Sequence, residues 1–156
     1  EPNKETQQES KKPKSGLSMS SEEYIRLPHR WRWGGMAGDD CTTFCAAWVF
    51  EATGKDPAHD LRGTYFDADG AEDIIRAAGG IETLVSTKLT ALGFRRVSDP
   101  RDGDIGIVRT MTGFDADGMR VKDIPAIKFG PLWAVMSARG PMVKKLDWTG
   151  VAWRIG

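Results

Sequence analysis

The apolar positions of the chain follow a helical pattern in its first half and a strand-like pattern in its second. The clearest helix begins after Asp39 or Asp40, either of which can accept hydrogen bonds from the first free amides. It ends near Gly54, a residue type that favours helix C-termini. One continuous apolar face is formed by residues at helical spacing, namely Cys41, Cys45, Trp48, Val49 and Ala52.

Two shorter helices are predicted downstream. The first covers about residues 71–78, with Ile74, Ile75 and Ala78 directed inward, and the Gly79-Gly80 pair ends it. The second covers about residues 82–92 and is closed by Gly93. Its buried stripe consists of Leu84, Val85, Leu89 and Leu92.

Short strands separated by Gly- and Pro-containing turns are predicted in the second half, at residues 94–97, 104–110, 132–138, 142–146 and 151–155. Residues 111–130 are rich in Gly and Asp and are expected to form a long loop or an extended hairpin. Helices followed by a meander of strands indicate an α+β fold, with N-terminal helices packed on an antiparallel sheet of about four to six strands.

The first 20 residues differ in composition from the rest, because Lys, Glu, Gln, Ser and Pro dominate them. We expect a disordered N-terminal arm at residues 1–20 and a single folded domain at residues 21–156. The arm lacks the apolar core of a signal peptide. Either Met19 is the native start, or the arm becomes ordered on a partner.

Charge and cysteine content exclude several classes of protein. The chain carries 22 basic and 22 acidic residues, so it lacks the positive excess of a dedicated nucleic-acid binder. No apolar run approaches the roughly 20 residues that span a bilayer, and no membrane insertion is expected. Two cysteines cannot form a disulfide framework or a four-thiolate zinc site. We predict neither a metal site nor a cofactor.

The pentapeptide FDADG occurs at residues 66–70 and again at residues 114–118. A calcium loop of the EF-hand type would need an acidic residue six positions after the glycine, where Arg76 and Ile124 stand. We therefore interpret both copies as Asp-Gly turns.

Cys41 is the main candidate for chemistry, since it lies in the first turn of the best-defined helix. Helix N-termini carry partial positive charge and free N–H groups, which stabilise a thiolate and an oxyanion. The alternative is a buried cysteine with a packing role only. Cys45, one turn deeper, is expected to behave as a small hydrophobe.

The segment around Cys41, WRWGGMAGDDCTTFCAAWV, resembles the nucleophile motif of NlpC-type cell-wall peptidases. The positions that match are Trp33, Gly34, Gly35, Asp40, Cys41 and Phe44, while Trp31 stands for the usual Tyr and Thr42-Thr43 for Ser-Gly. Gly103-Asp104-Ile105 resembles the start of the first core strand of that family. DPAHDLRG at residues 56–63 and VAWRI at residues 151–155 resemble a branch encoded among phage tail genes.

This resemblance, which covers about residues 31–155, implies a papain-like fold and a peptidoglycan substrate. Cys41 would attack an amide carbon of the stem peptide, and a His on the strand after the Gly-Asp strand would be the base. Asp40 would cap the helix, Gly34-Gly35 would let backbone approach the substrate, and Trp31 and Trp33 would line the groove. The expected location is the phage tail, with tail hub or tip proteins as partners, acting at the bacterial cell wall.

The sequence differs from the family at the position of the histidine that acts as the general base. The His-bearing strand aligns with residues 132–136, so that its His position falls on Leu132 or Trp133, and no histidine follows His59. Three possibilities result. Cys41 works with His29 or His59, or the thiol is vestigial in an inactive domain that binds wall peptides or plugs a tail hub, or the domain is purely structural. A free thiol hydrolase or transferase is a further alternative.

Overall fold

The computed structural model describes residues 19–115 and 118–156, in which four helices precede five strands. The helices are α1 (Ser21–Ile25), α2 (Cys41–Thr53), α3 (Ala68–Ala77) and α4 (Ile81–Ala91). The strands are β1 (Ile105–Asp115), β2 (Gly118–Phe129), β3 (Leu132–Ser137), β4 (Gly140–Lys144) and β5 (Asp147–Trp153). The predicted α+β class is thus confirmed. In this part of the chain no helix has the length and hydropathy needed to cross a bilayer.

Helix α2 forms as its sequence predicts. Asp40 is the N-cap, and Gly54 ends the helix in the left-handed conformation with φ of 80°. Four of the five residues of the predicted apolar face are buried, and Cys41 is half-buried. The buried residues of the helix are Thr43, Phe44, Cys45, Ala46, Trp48, Val49 and Ala52. Cys45 is 3% exposed, so its predicted role as a small core hydrophobe is confirmed.

Helix α3 begins three residues earlier than predicted. The Asp67 side chain accepts a hydrogen bond from the Gly70 amide and caps the helix. The prediction of an Asp-Gly turn at residues 66–70 is therefore wrong, because the aspartate opens a helix there. The second copy of the pentapeptide connects β1 to β2, and its central residues 116–117 lie outside the described residues.

The N-terminal boundary also differs slightly from expectation. Ser20 caps α1 in a reciprocal box with Glu23, and Met19 packs against the main core. The folded domain thus begins by residue 19 rather than residue 21. Residues 1–18 of the predicted arm lie outside the described residues.

All pairings in the sheet are antiparallel, and the strand order is β4-β3-β2-β1-β5. Strands β1 and β2 pair antiparallel on either side of residues 116–117, so an extended hairpin, one of the two expectations, accounts for this segment. The predicted strand at residues 94–97 is wrong, since it makes only a bridge between Arg96 and Trp153 at the edge of β5. Pro100 follows closely, and a proline cannot donate to a ladder. The last two strands lie two to four residues earlier than predicted.

The sheet must curl, because only Lys145 and Leu146 connect its two edge strands. Five flat strands would hold β4 and β5 about 19 Å apart, at ~4.8 Å per neighbour. Three residue steps reach only about 11 Å. The edges therefore approach one another and enclose one face of the sheet.

Two hydrophobic clusters occupy the two faces of this curled sheet. The main cluster lies under α2 and includes Trp48 and Trp153, whereas the second includes Trp133 with Trp148 packed beside it. The rings of Trp133 and Trp148 stack with centroids 6.3 Å apart. A Cβ on Gly106 would overlap the Trp133 ring, so only glycine fits beneath it. Trp48, Trp133 and Trp153 are buried, and Trp148 is half-buried.

Asp104, at the start of β1, fixes the C-terminus of the domain. Its carboxylate accepts hydrogen bonds from the Arg101 amide (2.8 Å), the Ile155 amide (2.9 Å) and Arg154 Nε (2.8 Å). The side chain is 1% exposed. A buried carboxylate is tolerated only when donors surround it in this way.

We predict that Asp104→Ala lowers the free energy of unfolding by about 3 kcal/mol, because two amides lose their acceptor. Urea denaturation followed by circular dichroism measures this. Asp123→Ala is the control, since Asp123 pairs with the exposed Arg109 and its loss should change stability far less. Equal losses of unfolding free energy in the two variants would contradict the role of Asp104 in fixing the C-terminal residues.

Candidate functional site

The candidate site is built around the junction of Asp40 and Cys41. Asp40 Oδ1 accepts hydrogen bonds from the amides of Thr42 (3.0 Å) and Thr43 (2.9 Å). In return, Thr43 Oγ1 accepts from the Asp40 amide at 2.9 Å, which completes a capping box. Cys41 is thereby fixed as the first residue of α2.

The other oxygen of Asp40 holds two loops against the helix. Oδ2 accepts a hydrogen bond from the Gly34 amide at 3.1 Å and another from the Tyr65 hydroxyl at 2.5 Å. Asp40 is 1% exposed. Burial, together with this hydrogen bond to Asp40, raises the pKa of Tyr65 well above its usual range, so the hydroxyl stays protonated and donating.

The two glycines of the motif approach other parts of the chain closely. Gly34 has φ of 88°, and a Cβ there would overlap the Tyr65 carbonyl oxygen. A Cβ on Gly35 would meet Thr43 at 2.8 Å and Arg62 at 2.7 Å. Arg62 also donates to the Gly35 carbonyl (3.1 Å) and pairs with Asp56 (2.8 Å). These contacts account for both glycines through packing within the chain.

Most of the first amides of α2 are already occupied. Those of Thr42 and Thr43 donate to the Asp40 carboxylate, and that of Phe44 donates to the Asp40 carbonyl at 3.0 Å. Three of the first four amides of α2 are therefore not free for the predicted oxyanion contact.

The Cys41 thiol lies in a mostly apolar environment. It is half-buried and packs against the second hydrophobic cluster, which contains Ile124 and Trp133. The Cys41 Sγ atom makes a polar contact with Thr42 Oγ1 at 4.0 Å. Burial raises the pKa of the Cys41 thiol, and the Asp40 carboxylate adds to this effect, while Lys122 opposes it. The thiol is consequently protonated at neutral pH.

Two loops, two helices and one strand surround a pocket beside the sulfur. Trp33 and Tyr65 come from the two loops that Asp40 holds, and α3 and α4 supply apolar side chains. Residues 122–125 of β2 complete the lining, and Lys122 and Asp123 are its charged members. Asp123 is paired with Arg109 at 2.8 Å.

Neither histidine lines this pocket. His29 Nε2 donates to the Tyr24 carbonyl at 2.6 Å, and its ring packs on Tyr24 and Phe44 with centroids 4.6 and 4.9 Å away. His59 is exposed in the turn that follows α2. The structure thus brings Cys41, Asp40, Trp33 and Gly34 together, but not the two predicted base candidates.

The two tryptophans of the motif differ in position. Their rings meet edge to face, with centroids 5.0 Å apart. Trp31 packs against the main core and forms a bridge with Asp39, whereas Trp33 lines the pocket. Only Trp33 is therefore placed to contact a molecule next to the sulfur.

Residues 132–136, which the resemblance aligns with the base-bearing strand, form β3, whereas the strand that directly follows β1 is β2. Sequence reasoning left β2 open between a loop and a hairpin strand, because residues 111–130 are rich in Gly and Asp. Pro125 is tolerated since pairing with β3 begins only at Ile127, so no bond to β3 needs its missing N–H. The short apolar run from Ile124 to Ile127 was the available signal.

No metal centre is built from the residues that the structure describes, since no three His, Cys, Asp or Glu side chains converge there. The fold and the site define an α+β domain with a half-buried cysteine at the start of its central helix. A family model described as Domain of unknown function (DUF6950) matches residues 16–155, and the chain belongs to this family. No curated protein and no solved structure matches the chain.

We predict that Asp40→Ala lowers the free energy of unfolding by about 2–4 kcal/mol, because it removes the cap of α2 and leaves buried donors unpaired. Thermal or urea unfolding measures the loss. Asp67→Ala is the matched control, since that exposed residue caps α3 through one amide and should cost about 1 kcal/mol. A smaller loss of unfolding free energy in Asp40→Ala than in Asp67→Ala would contradict the greater importance assigned here to the Asp40 cap.

We also predict that Cys41 reacts with iodoacetamide as an unactivated thiol. Only the thiolate reacts, so the raised pKa shifts the pH midpoint of alkylation above the ordinary cysteine value of about 8.5. Lys122→Ala should shift the midpoint further upward, because it removes the cation that favours the thiolate. Peptide-resolved mass spectrometry separates Cys41 from Cys45. A midpoint below neutral pH would identify an activated nucleophile instead.

Proposed function

We propose that the chain is a papain-like domain of the NlpC type that serves as a non-catalytic structural or assembly component of a phage tail tip or hub. The order of elements supports this, since a cysteine-bearing helix packs on an antiparallel sheet opened by Gly103-Asp104. The segments that resemble the peptidase motif lie on those elements. The matched family range contains all of them.

The observation that carries the non-catalytic role is the environment of the Cys41 sulfur. A cysteine peptidase needs a base within reach of the thiol and a thiolate that is stabilised. Here burial raises the pKa of the thiol, and no histidine lines its pocket. Two of the helix amides that could stabilise an oxyanion donate to Asp40.

An exposed apolar pair supports an assembly role. Met111 and Val121 are cross-strand partners on the β1–β2 hairpin and are 63% and 59% exposed. At that point, neither β5 nor β3 pairs with the hairpin. With a net charge of zero, the chain would recognise a tail protein through shape and apolar contact rather than long-range attraction.

A peptidase acting on peptidoglycan stem peptides is the second candidate. One observation favours it, because Cys41 occupies the first position of α2 and borders a pocket that Trp33 also lines. In that role a base on β2 would take the Cys41 proton, and the thiolate would attack the amide carbon. The C–N bond would break to give a thioester and an amine that receives that proton, and water would then hydrolyse the thioester.

The two candidates are separated by digestion of purified sacculi. We predict that the wild-type chain releases no new amino groups, and that Cys41→Ala behaves identically. In phage particles, Cys41→Ala should be incorporated like the wild type. Cys45→Ala is the matched control for removing a thiol from the same helix.

Release of stem-peptide amines that Cys41→Ala abolishes, with circular dichroism unchanged, would overturn the non-catalytic role and support the peptidase. Failure to find the chain in purified tails would contradict the assembly role.

A further inference from the structure

Helix α3 differs from the other helices of the described part in burying none of its residues. Its inner face consists of Ala71, Ile74 and Ile75, which are half-buried and line the pocket beside Cys41. Its outer face carries exposed charged side chains, among them Asp69 and Arg76. The helix thus covers the pocket without contributing to either hydrophobic core.

The polar interactions of α3 stay within the helix and its cap. Asp67 accepts from the Gly70 amide, and Arg76 pairs with Asp73 at 3.0 Å and with Glu72 at 3.9 Å. Among the described residues, no side-chain hydrogen bond or ion pair joins 68–77 to another helix or strand. Only apolar contacts therefore hold α3 over the pocket.

Each end of α3 is connected to a fixed part of the fold by a short segment of one or two residues. On one side Tyr65 is tied to Asp40, and the next residue, Phe66, is 77% exposed. On the other side Gly79 and Gly80 have φ of 96° and 112°, and a Cβ on Gly80 would have no neighbour within 4 Å. The following helix, α4, is fixed by burial of its own apolar stripe. The glycine pair thus has both the backbone freedom and the space to act as a pivot.

We propose that α3 is a lid over the Cys41 pocket, and that it opens about Gly79-Gly80 while the rest of the domain stays folded. Opening exposes the sulfur together with the apolar wall that Ile81 and Leu84 contribute. Segments with few buried apolar contacts open at a lower free energy than the whole fold. The position of α3 controls the access of other molecules to the Cys41 thiol, and this control does not depend on the function of the thiol.

The two cysteines of α2 provide an internal test, because one lies under the lid and the other lies in the main core. Alkylation by iodoacetamide is followed separately at Cys41 and Cys45 by mass spectrometry, at several urea concentrations below the unfolding transition. We expect Cys41 to react at least about tenfold faster than Cys45 and with weaker urea dependence, because opening α3 exposes less surface than unfolding.

The double variant Ile74→Ala/Ile75→Ala weakens the apolar contacts of the lid. It should raise the Cys41 rate about tenfold, and the urea dependence of that rate should stay weaker than that of the Cys45 rate. Arg76→Ala, on the outer face, is the matched control and should change neither rate. Hydrogen exchange of the wild-type chain is a second measurement that needs no variant, and amides 68–77 should exchange faster than those of α2.

Three results would contradict the proposal that α3 is a lid. Equal rates and equal urea dependence at both cysteines would mean that only global unfolding exposes Cys41. A Cys41 rate equal to that of an unfolded cysteine peptide at the same pH would mean that no cover exists. Amides of α3 as protected as those of α2 would mean that the helix does not open by itself.

Discussion

The buried carboxylate of Asp40 is the interaction on which the arrangement of the candidate site depends. Its two oxygens accept four hydrogen bonds, which come from two amides of α2, from the Gly34 amide and from the Tyr65 hydroxyl. A charge in this position would cost several kcal/mol without such donors. The same side chain therefore starts the central helix and joins it to the loops on either side.

The curl of the sheet determines which strand residues lie next to the Cys41 thiol, on the side away from Asp40. Because two residues join β4 to β5, the sheet closes over the cluster that contains Trp133, and residues 122–125 of β2 come to face Cys41. The thiol is thus placed between an apolar cluster and a carboxylate, with Lys122 as the opposing cation. Both stronger effects raise its pKa. The protonation state of the cysteine follows from the closure of the fold.

Features with local causes could be predicted from the sequence. The helix at residues 41–53 follows from one cap, one glycine and one apolar stripe, and the proximity of Trp33, Gly34, Asp40 and Cys41 follows from their closeness in the chain. Features with distant causes could not. His29 contacts Tyr24 and Phe44, and Lys122 reaches the pocket only because of strand pairing. A local rule also misled at Asp67, which begins a helix in place of the expected turn.

Packing within the chain explains most residues of the motif around Cys41 without any reference to catalysis. Gly34 and Gly35 lie against Tyr65, Thr43 and Arg62, Asp40 satisfies buried donors, and Phe44 is a core residue. Cys41 is the exception, since a half-buried thiol under a loosely held helix is not needed for any of these contacts. Its role therefore depends on what can reach it when α3 moves, which links the chemistry of the site to the stability of one helix.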